Sequence, residues 1–476
     1  MTTVLTFPPG FTFGTATAAY QIEGAVHEDG RRDSIWDAFC RVPGAIANGE
    51  NGDVACDHYH RMPADVALMA ELGIDTYRFS ASWARVRPDD GPTNPAGVDF
   101  YSRLVDELLA HGIKPWLTLY HWDLPQALQE KGGWTNRDTA YRFADYAEAL
   151  FAAIGDRVPT WTTMNEPWCS SFLAYAGGEH APGHTSPSEA VDAAHHLLLG
   201  HGLAIQRLRA ASAGSDVRLG ITLNQSVTDP ANPDDPADVD AARKVDGAFN
   251  RVFLDPLFRG AYPADVLEDM AEPGLGRVAR EGDMEIISAP IDVLGVNYYR
   301  GEMVAAPDPD DDSPLVGLTP RGRPSRNPYV GSERIPQVSR GLPTTAMGWD
   351  IQPEGLTRLM LRLHREYTGP AGIPLVVTEN GAAFDDVPDE SGFVDDSGTR
   401  LAYLRDHVAA LHAAIEQGAD VRGYLQWSLM DNFEWAWGYG PRFGLVRVDY
   451  DTQRRTPKAS GRWYADVART GRVELP

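Results

Sequence analysis

The chain has 476 residues, of which 43% are hydrophobic and 23% are charged, and its formal net charge is −25. This composition is close to the globular average and excludes a chain that is disordered over most of its length. The acidic balance argues against a nucleic-acid partner, because such a surface repels a polyanionic duplex. Three cysteines cannot form a disulfide framework in a chain this long, so we expect reduced thiols and a cytoplasmic protein.

Targeting segments are not expected from the sequence. No apolar run approaches the roughly 18 residues that a membrane-spanning helix needs. Residues 1–10, MTTVLTFPPG, have neither the basic segment nor the apolar segment of a signal peptide. We therefore expect no membrane partner, whereas a homo-oligomer is compatible with the sequence.

Eight short apolar segments, bounded by polar or turn-forming residues, are predicted as β-strands. In chain order they cover residues 11–19, 76–80, 114–121, 160–166, 217–224, 293–299, 374–380 and 421–428.

Amphipathic helices are predicted between these strands. They cover residues 63–73, 98–111, 137–154, 188–213, 239–259, 354–367 and 457–470, and one more helix ends before Gly418. That helix has the clearest apolar face, formed by Leu401, Leu404, Val408, Leu411 and Ile415 at helical spacing.

Strands that alternate with helices indicate a parallel sheet with helical crossovers. Eight such units predict an α/β fold, a single (β/α)₈ TIM barrel over residues 1–476, and a doubly wound open sheet is the alternative. Three segments rich in proline and aspartate, 229–240, 306–314 and 385–396, each follow a strand. We interpret them as long loops on the catalytic face of the barrel, and the alternative, favoured for most of their residues, is plain solvated loops.

The carboxyl end of each predicted strand carries polar or aromatic residues. They are Gln21, Arg78, His121, Trp122, Asn165, Glu166, Asn224, Asn297, Tyr299, Glu379, Asn380 and Trp427. Barrel enzymes place their catalytic groups at this edge of the sheet. Amides and carboxylates hydrogen-bond to sugar hydroxyls, and indole rings pack against the C–H faces of sugars. These residue types together predict a carbohydrate pocket.

Two of these residues are glutamates, at the ends of the fourth and seventh predicted strands. A glutamate that closes an apolar strand is desolvated, which raises its pKa unless a cation or a donor compensates. Hydrolysis of a glycosidic bond needs one protonated and one ionised carboxyl group. Glu166 and Glu379 are therefore predicted to be the catalytic residues.

Seven motifs follow one another along nearly the whole chain. They are FTFGTATAAYQIEG (11–24), YRFS (77–80), YHWDLP (120–125), TMNEP (163–167), NYY (297–299), TENG (378–381) and WSLMDNFEW (427–435). In sequence and in order these motifs resemble glycoside hydrolase family 1, the β-glucosidase family. The resemblance implies a (β/α)₈ barrel and a retaining mechanism.

The resemblance also implies the roles of individual residues. Glu166 corresponds to the acid/base and Glu379 to the nucleophile, with Arg78 and Tyr299 in contact with the nucleophile. The implied substrate-binding residues are Gln21, His121, Trp122, Asn165, Asn297, Tyr299, Trp427, Glu434 and Trp435, with Trp349 toward the aglycone and Phe443 near C6 of the sugar.

The resemblance implies a β-glucosidase for unphosphorylated β-glucosides or cello-oligosaccharides, hence a role in cellulose degradation, and also activity on β-galactosides or β-fucosides. No cofactor is implied. A 6-phospho-β-glycosidase is one alternative, but residues 427–445 contain a single arginine and no lysine to bind a phosphate. A non-catalytic sugar-binding barrel is the other, and it conflicts with the presence of both glutamates.

Histidines and a cysteine outside the motifs allow further interpretations. His58 with His60, or His195 with His196 and His201, could suggest a metal, but neither group has a carboxylate or cysteine at ligand spacing, and no metal site is predicted. Cys169 follows Glu166 closely and is expected to pack at the pocket entrance.

Overall fold

Eight parallel strands close into a barrel in the computed structural model, which describes residues 3–475. The strands are β1 (Thr12–Ala16), β2 (Thr76–Ser80), β3 (Lys114–Tyr120), β4 (Thr160–Asn165), β5 (Arg218–Asn224), β6 (Val293–Asn297), β7 (Leu375–Asn380) and β8 (Val421–Trp427). Each strand pairs with its neighbour in chain order, and β8 pairs with β1. The TIM barrel is thus confirmed and the open sheet is wrong, because the β8–β1 ladder leaves no free edge.

Within residues 3–475, nine longer helices connect the strands or follow them. They are α1 (His58–Glu71), α2 (Pro95–Ala110), α3 (Asp138–Ile154), α4 (Pro187–Ala211), α5 (Pro236–Asp246), α6 (Val252–Arg259), α7 (Pro353–Leu363), α8 (Arg400–Glu416) and α9 (Ala459–Thr470). On α8 the residues Leu404, Val408 and Leu411 are buried, while Leu401 and Ile415 lie half-buried at the edges of the same face. No helix within residues 3–475 is long and apolar enough to cross a membrane.

Short elements complete the chain. Short α-helices are Ala19–Ile22, Ile35–Cys40, Trp83–Val86, Gln126–Gln129, Ala264–Asp269, Leu275–Val278, Asp283–Ile287 and Gly369–Ala371. Segments Cys169–Gly177, Gly247–Arg251 and His364–Thr368 are π-helical, and Ala47–Gly49, Pro88–Asp90, Gly133–Thr135 and Trp435–Trp437 are 3₁₀ turns. Two-stranded pairs join Thr3–Thr6 to Arg472–Leu475, Thr228–Pro230 to Glu302–Val304, Val316–Leu318 to Pro324–Arg326, and Val446–Asp449 to Arg454–Pro457.

The predicted strands are all present, but several are shorter than expected. The first ends at Ala16 rather than at residue 19, so Gln21 belongs to the short helix Ala19–Ile22 and not to a strand end. The sixth ends at Asn297, which places Tyr299 in the following loop. Apolar runs continue past these strands because the residues that follow are buried without belonging to the sheet.

Several helix predictions are wrong at their boundaries. The helix predicted over 98–111 begins at Pro95, and the helix predicted over 354–367 ends at Leu363, where the π-helical segment His364–Thr368 begins. α1 begins at His58 and not at residue 63, with Pro63 inside it, because Asp57 accepts hydrogen bonds from His60 Nδ1 (2.6 Å) and Arg61 Nε (2.9 Å) and supports an extra first turn. The helix predicted over 239–259 is divided by the π-helical segment Gly247–Arg251. It also begins earlier, at Pro236, so the loop predicted over 229–240 is shorter than expected.

Candidate active site

The carboxyl ends of the strands open into a cavity of about 860 Å³. Most of the predicted site residues line it, namely His121, Trp122, Glu166, Asn297, Tyr299, Trp349, Glu379, Trp427, Glu434, Trp435 and Phe443. Gln21, Arg78 and Asn165 are fully buried, and the last two are in direct contact with the lining residues Glu379 and His121. Asn224 also lines the cavity, whereas Asn380 does not: its amide donates to Tyr298 O (2.6 Å) and accepts from Tyr424 Oη (2.7 Å). Asn380 therefore fixes the end of β7 and does not line the cavity.

Glu379, the second-last residue of β7, is surrounded by strong donors. Arg78 Nη1 on β2 donates to Oε1 at 2.6 Å, and Tyr299 Oη donates to Oε2 at 2.6 Å. Burial raises the pKa of Glu379, while the guanidinium and the phenol act in the opposite direction. A cation and an O–H that hold both oxygens stabilise the ionised form and fix its orientation.

Glu166 follows β4 directly and has weaker donors. Asn297 Nδ2 donates to Oε1 at 2.7 Å, and the thiol of Cys169 donates to Oε2 at 3.2 Å. Burial, followed by the negative charge of Glu379, raises the pKa of Glu166 to about 8. Of the two carboxyl groups, Glu166 is therefore the one that carries a proton at neutral pH.

Asn165 connects the surroundings of the two glutamates. Its Oδ1 accepts from Arg78 Nη2 at 2.7 Å and from Asn297 Nδ2 at 3.0 Å. Its Nδ2 donates to His121 Nε2 at 3.1 Å, which leaves one amide N–H of Asn165 for a ligand. Because every member of this network is buried, a displacement of one side chain disturbs both carboxyl groups.

His121 and Gln21 each present one polar atom that no protein group satisfies. Burial, with the Arg78 charge added, holds the pKa of His121 well below its usual value, so the ring is neutral. Since Nε2 accepts from Asn165, the ring proton lies on Nδ1, which has no protein partner. Gln21 donates to Asn432 Oδ1 (3.0 Å) and Phe433 O (2.8 Å), and its Oε1 is free. One free donor and one free acceptor fit the hydroxyls of a sugar.

Aromatic rings form the walls of the cavity. Trp427 and Trp435 stack with His121 at centroid distances of 5.8 and 6.1 Å. On another side, Trp349 packs against Tyr299 at 5.5 Å and against Phe443 at 6.1 Å. The backbone is strained at three cavity residues, Trp122 (φ 76°), Glu166 (φ 48°) and Trp435 (φ 50°). Such conformations cost non-glycine residues about 1–3 kcal/mol each and cluster at functional sites.

Glu434 is a further carboxyl group of the cavity lining, close enough to Glu379 and Glu166 for their charges to act on it. Burial, with the charges of Glu379 and Glu166 added, raises its pKa to about 8. Two cations that follow Glu434 in the chain do not line the cavity and have an anionic partner: Arg442 contacts Asp431 at 3.0 Å, and Lys458 contacts Asp431 at 2.7 Å. Glu434 is therefore suited to hydrogen-bond to the hydroxyl groups of a ligand rather than to pair with one of these cations.

The histidines outside the site have structural partners. His58 Nδ1 lies 2.8 Å from Asp65, His195 Nε2 lies 2.9 Å from Asp283, and His201 Nδ1 lies 2.7 Å from Thr163 Oγ1. Within residues 3–475, no group of three or more His, Cys, Asp or Glu side chains is arranged to hold a metal ion.

Sequence reasoning missed the contact of Cys169 with Glu166. It placed Cys169 at the pocket entrance, and Cys169 does line the cavity. However, its spacing of three residues from Glu166, at the start of a helical segment, is the signal that could have predicted the contact.

Comparison with known proteins agrees with this geometry. The family model described as "Glycosyl hydrolase family 1" matches residues 3–472. The chain belongs to glycosyl hydrolase family 1. Among family members, it is 51% identical to thermostable β-glucosidase B of Thermobispora bispora, over 98% of this chain and 91% of that protein. It is 47% identical to a bifunctional β-D-glucosidase/β-D-fucosidase of Bifidobacterium breve, over 96% and 97%.

Solved structures of family 1 enzymes share the fold. A psychrophilic β-glucosidase from Micrococcus antarcticus is 54% identical and superposes with a TM-score of 0.93, over 98% of both chains. The family 1 β-glucosidase from Thermotoga maritima is 43% identical, with a TM-score of 0.89 over 99% of both chains. The predicted family and barrel are both confirmed.

Proposed function

We propose that this family 1 enzyme is a retaining β-glucosidase that releases the terminal, non-reducing β-D-glucosyl residue from unphosphorylated β-glucosides. One observation carries the proposal, namely the unequal surroundings of Glu166 and Glu379. Glu379 has a guanidinium and a phenol on its two oxygens, whereas Glu166 has an amide and a thiol. A retaining glycosidase needs this division into an ionised nucleophile and a protonated acid.

In the first step, a carboxylate oxygen of Glu379 attacks C1 of the sugar while the bond from C1 to the glycosidic oxygen breaks. Glu166 gives its proton to the departing oxygen, so the aglycone leaves as a neutral alcohol. The product is a glycosyl ester of Glu379, and Glu166 is now ionised. The Arg78 guanidinium no longer faces a full negative charge, which favours the return of the carboxylate in the second step.

In the second step, a water molecule attacks C1, Glu166 takes the water proton and the ester bond to Glu379 breaks. The charge of Glu379 is one cause of the raised pKa of Glu166. Since the ester removes that charge, the pKa of Glu166 falls in the intermediate and Glu166 becomes a base.

The sugar-binding roles follow from the free polar atoms. We assign the C3 and C4 side of the glucosyl ring to Gln21 Oε1 and His121 Nδ1, which lack protein partners. The remaining N–H of Asn165 is assigned to the 2-hydroxyl, whose contact strengthens as positive charge develops at C1. Trp122, Trp427 and Trp435 supply apolar walls, and Asn297 holds Glu166 in place.

The alternative of a 6-phospho-β-glycosidase conflicts with the charges around Glu434. A phosphate with a charge of about −1.5 to −2 requires cations. Arg442 and Lys458 are both bound to Asp431, and three carboxyl groups face this part of the cavity. A non-catalytic sugar-binding barrel would not require Glu166 and Glu379 to have different hydrogen-bond partners.

Finer features of the function are also part of the proposal. Activity on β-fucosides is supported by the bifunctional relative, and the same pocket is proposed to admit β-galactosides. Cello-oligosaccharides, and hence cellulose degradation, fit a cavity that extends beyond one sugar ring. We further propose that the whole chain is one catalytic domain, and that it works in the cytoplasm, where Cys40, Cys56 and Cys169 stay reduced.

The proposal is tested by trapping the covalent intermediate. A 2-deoxy-2-fluoro-β-glucoside with an activated leaving group should increase the intact mass by one fluoroglucosyl group, and peptide mapping should locate this group on Glu379. NMR of the product formed from p-nitrophenyl β-D-glucoside should show the β-anomer first. A label on another residue, or the α-anomer as first product, contradicts the proposal.

A further inference from the structure

The guanidinium of Arg78 donates to three different partners. Nη1 donates to Glu379 Oε1 at 2.6 Å, Nη2 to Asn165 Oδ1 at 2.7 Å, and Nε to Thr118 Oγ1 at 3.1 Å. Glu379 and Asn165 belong to the active site, whereas Thr118 lies on β3 and does not line the cavity. The guanidinium is therefore attached to the catalytic groups on one side and to the barrel wall on the other.

Thr118 is one of a pair of hydroxyl residues inside the barrel. It is paired in register with Thr162 on β4, and the two Oγ1 atoms lie 2.9 Å apart. Both side chains are fully buried. They face the barrel interior, since Trp116, on the same face of β3 as Thr118, packs against Val293 of β6 and Leu425 of β8. The pair thus belongs to the packed interior below the catalytic carboxyl groups.

The hydrogen bonds along this pair have a fixed direction. An arginine N–H can only donate, so Thr118 Oγ1 accepts from Arg78 Nε. The hydroxyl proton of Thr118 is then available to Thr162 Oγ1. A valine in place of Thr118 would fill nearly the same volume but would accept no hydrogen bond. It would leave an N–H of a charged group buried without a partner, which is unfavourable.

The contact with Thr118 restrains the whole guanidinium. This group is planar and rigid, so a partner on Nε restricts the directions of Nη1 and Nη2. In Arg78 those two nitrogens meet Glu379 and Asn165. The Arg78 charge lowers the pKa of Glu379, against the effect of burial. A guanidinium that tilts away from Glu379 would therefore let this pKa rise.

Other groups around Glu379 do not replace Arg78. Besides Arg78, Glu379 faces Glu166 and Cys169 after β4, Tyr299 after β6 and Glu434 after β8. The two glutamates, when ionised, disfavour the charge of Glu379 by like-charge repulsion. The phenol of Tyr299 donates one hydrogen bond but carries no positive charge. The placement of the guanidinium is thus the strongest influence that favours ionised Glu379.

We propose that Thr118 is a positioning residue for Arg78, holding the guanidinium so that one nitrogen meets the nucleophile carboxylate and another meets Asn165. The inference rests on the proposed role of Glu379 as the nucleophile. Because Thr118 and Thr162 do not line the cavity, they touch no substrate and act through Arg78.

The test measures the pH dependence of inactivation by a 2-deoxy-2-fluoro-β-glucoside with an activated leaving group, because the acidic limb of this reaction reports the ionisation of Glu379. In Thr118→Val, we expect this limb to move to higher pH by roughly half a unit to one unit. Thr118→Ser keeps the accepting hydroxyl and should retain the wild-type limb. Thr162→Val leaves the contact between Thr118 and Arg78 in place and should move the limb less than Thr118→Val does.

The matched control is Thr163→Val. Thr163 is a buried threonine of β4, next to Thr162 in the chain, and its hydroxyl contacts His201 Nδ1 (2.7 Å) and Gly220 O (3.4 Å) rather than Arg78. This variant also loses a buried hydrogen bond, so its Tm should fall as in Thr118→Val. Its acidic limb should nevertheless stay at the wild-type pH, which separates positioning of Arg78 from a general loss of stability.

The inference is wrong if the acidic limb of Thr118→Val stays at the wild-type pH, or if Thr163→Val or Thr162→Val moves it equally far. Should Thr118→Val fail to fold, Thr118→Cys replaces it, because a thiol is only a weak acceptor. Its limb should move in the same direction, and an unmoved limb would again refute the inference. A fluoroglucosyl label on a residue other than Glu379 in the wild type is different, because it contradicts the proposed function itself.

Discussion

The thiol of Cys169 lies 3.2 Å from Oε2 of Glu166, at the start of the helical segment that follows this proposed acid/base residue. A thiol can donate to a carboxylate and can also accept from a protonated carboxyl group. Asn297 Nδ2, on the other oxygen of Glu166, can only donate. Cys169 is therefore suited to a residue that alternates between acid and base during the reaction.

Replacing Cys169 should change the pH dependence of the reaction. The thiol donor lowers the pKa of Glu166, so Cys169→Ala should raise that pKa. The general acid loses its proton as pH rises through this pKa, and the alkaline limb of kcat/KM should move to higher pH by roughly half a unit. Cys169→Ser keeps a hydrogen-bond donor, so its alkaline limb of kcat/KM should lie at the wild-type pH or at a lower pH. If the alkaline limb lies at the same pH in both variants, the hydrogen bond from residue 169 does not set the pKa of Glu166.

Removal of Glu379 should abolish the covalent step. Glu379→Gly is expected to reduce kcat by about 10⁵-fold, because no other group can form the glycosyl ester. Added azide should restore part of the turnover of an activated β-glucoside by attack from the opened face, giving the α-glycosyl azide. NMR of the product provides the measurement, and formation of the β-azide in this variant would reverse the assignment.

Glu166→Ala should discriminate between leaving groups. A dinitrophenolate leaves without protonation, whereas an alkoxide requires a general acid that contributes about 10²–10⁴-fold. The variant should therefore lose far more kcat/KM on cellobiose than on dinitrophenyl β-D-glucoside, and the alkaline limb near pH 8 should disappear. Equal losses on the two substrates would mean that Glu166 is not the acid.

A phosphate at C6 should prevent hydrolysis by the wild type. Its charge would enter a partly dry part of the cavity beside Glu434, while Arg442 and Lys458 are bound to Asp431 and do not line the cavity. A buried charge without a cation costs several kcal/mol, or about 10³-fold in kcat/KM. Glu434→Ser should lose activity on p-nitrophenyl β-D-glucoside and narrow the gap to its 6-phosphate. Similar wild-type kcat/KM values for the two substrates would contradict both the role of Glu434 and the choice of neutral sugars.

The sequence alone determined the repeating pattern of strands and helices and which motifs occupy the strand ends. Short apolar runs and helical apolar faces are local features, so all eight strands could be predicted with errors at their ends. The chemistry of Glu166 and Glu379 could also be predicted, because an apolar strand that ends in a carboxyl group implies a desolvated acid wherever the strand lies.

Tertiary structure decided which groups surround each carboxyl. Arg78 and Glu379 are 301 positions apart in sequence, and only barrel closure brings the guanidinium to within 2.6 Å of the carboxylate. The same packing directs the Asn380 side chain into the core, where it donates to Tyr298 O. It also ends helix α5 at Asp246, where the π-helical segment Gly247–Arg251 begins. It also places the two-stranded hairpin of residues 316–326 beside Trp437, whose ring centre lies 5.7 Å from the Arg321 guanidinium. Such contacts depend on long-range geometry, because a side chain's partners are set by the strands and loops packed around it and not by its neighbours in sequence.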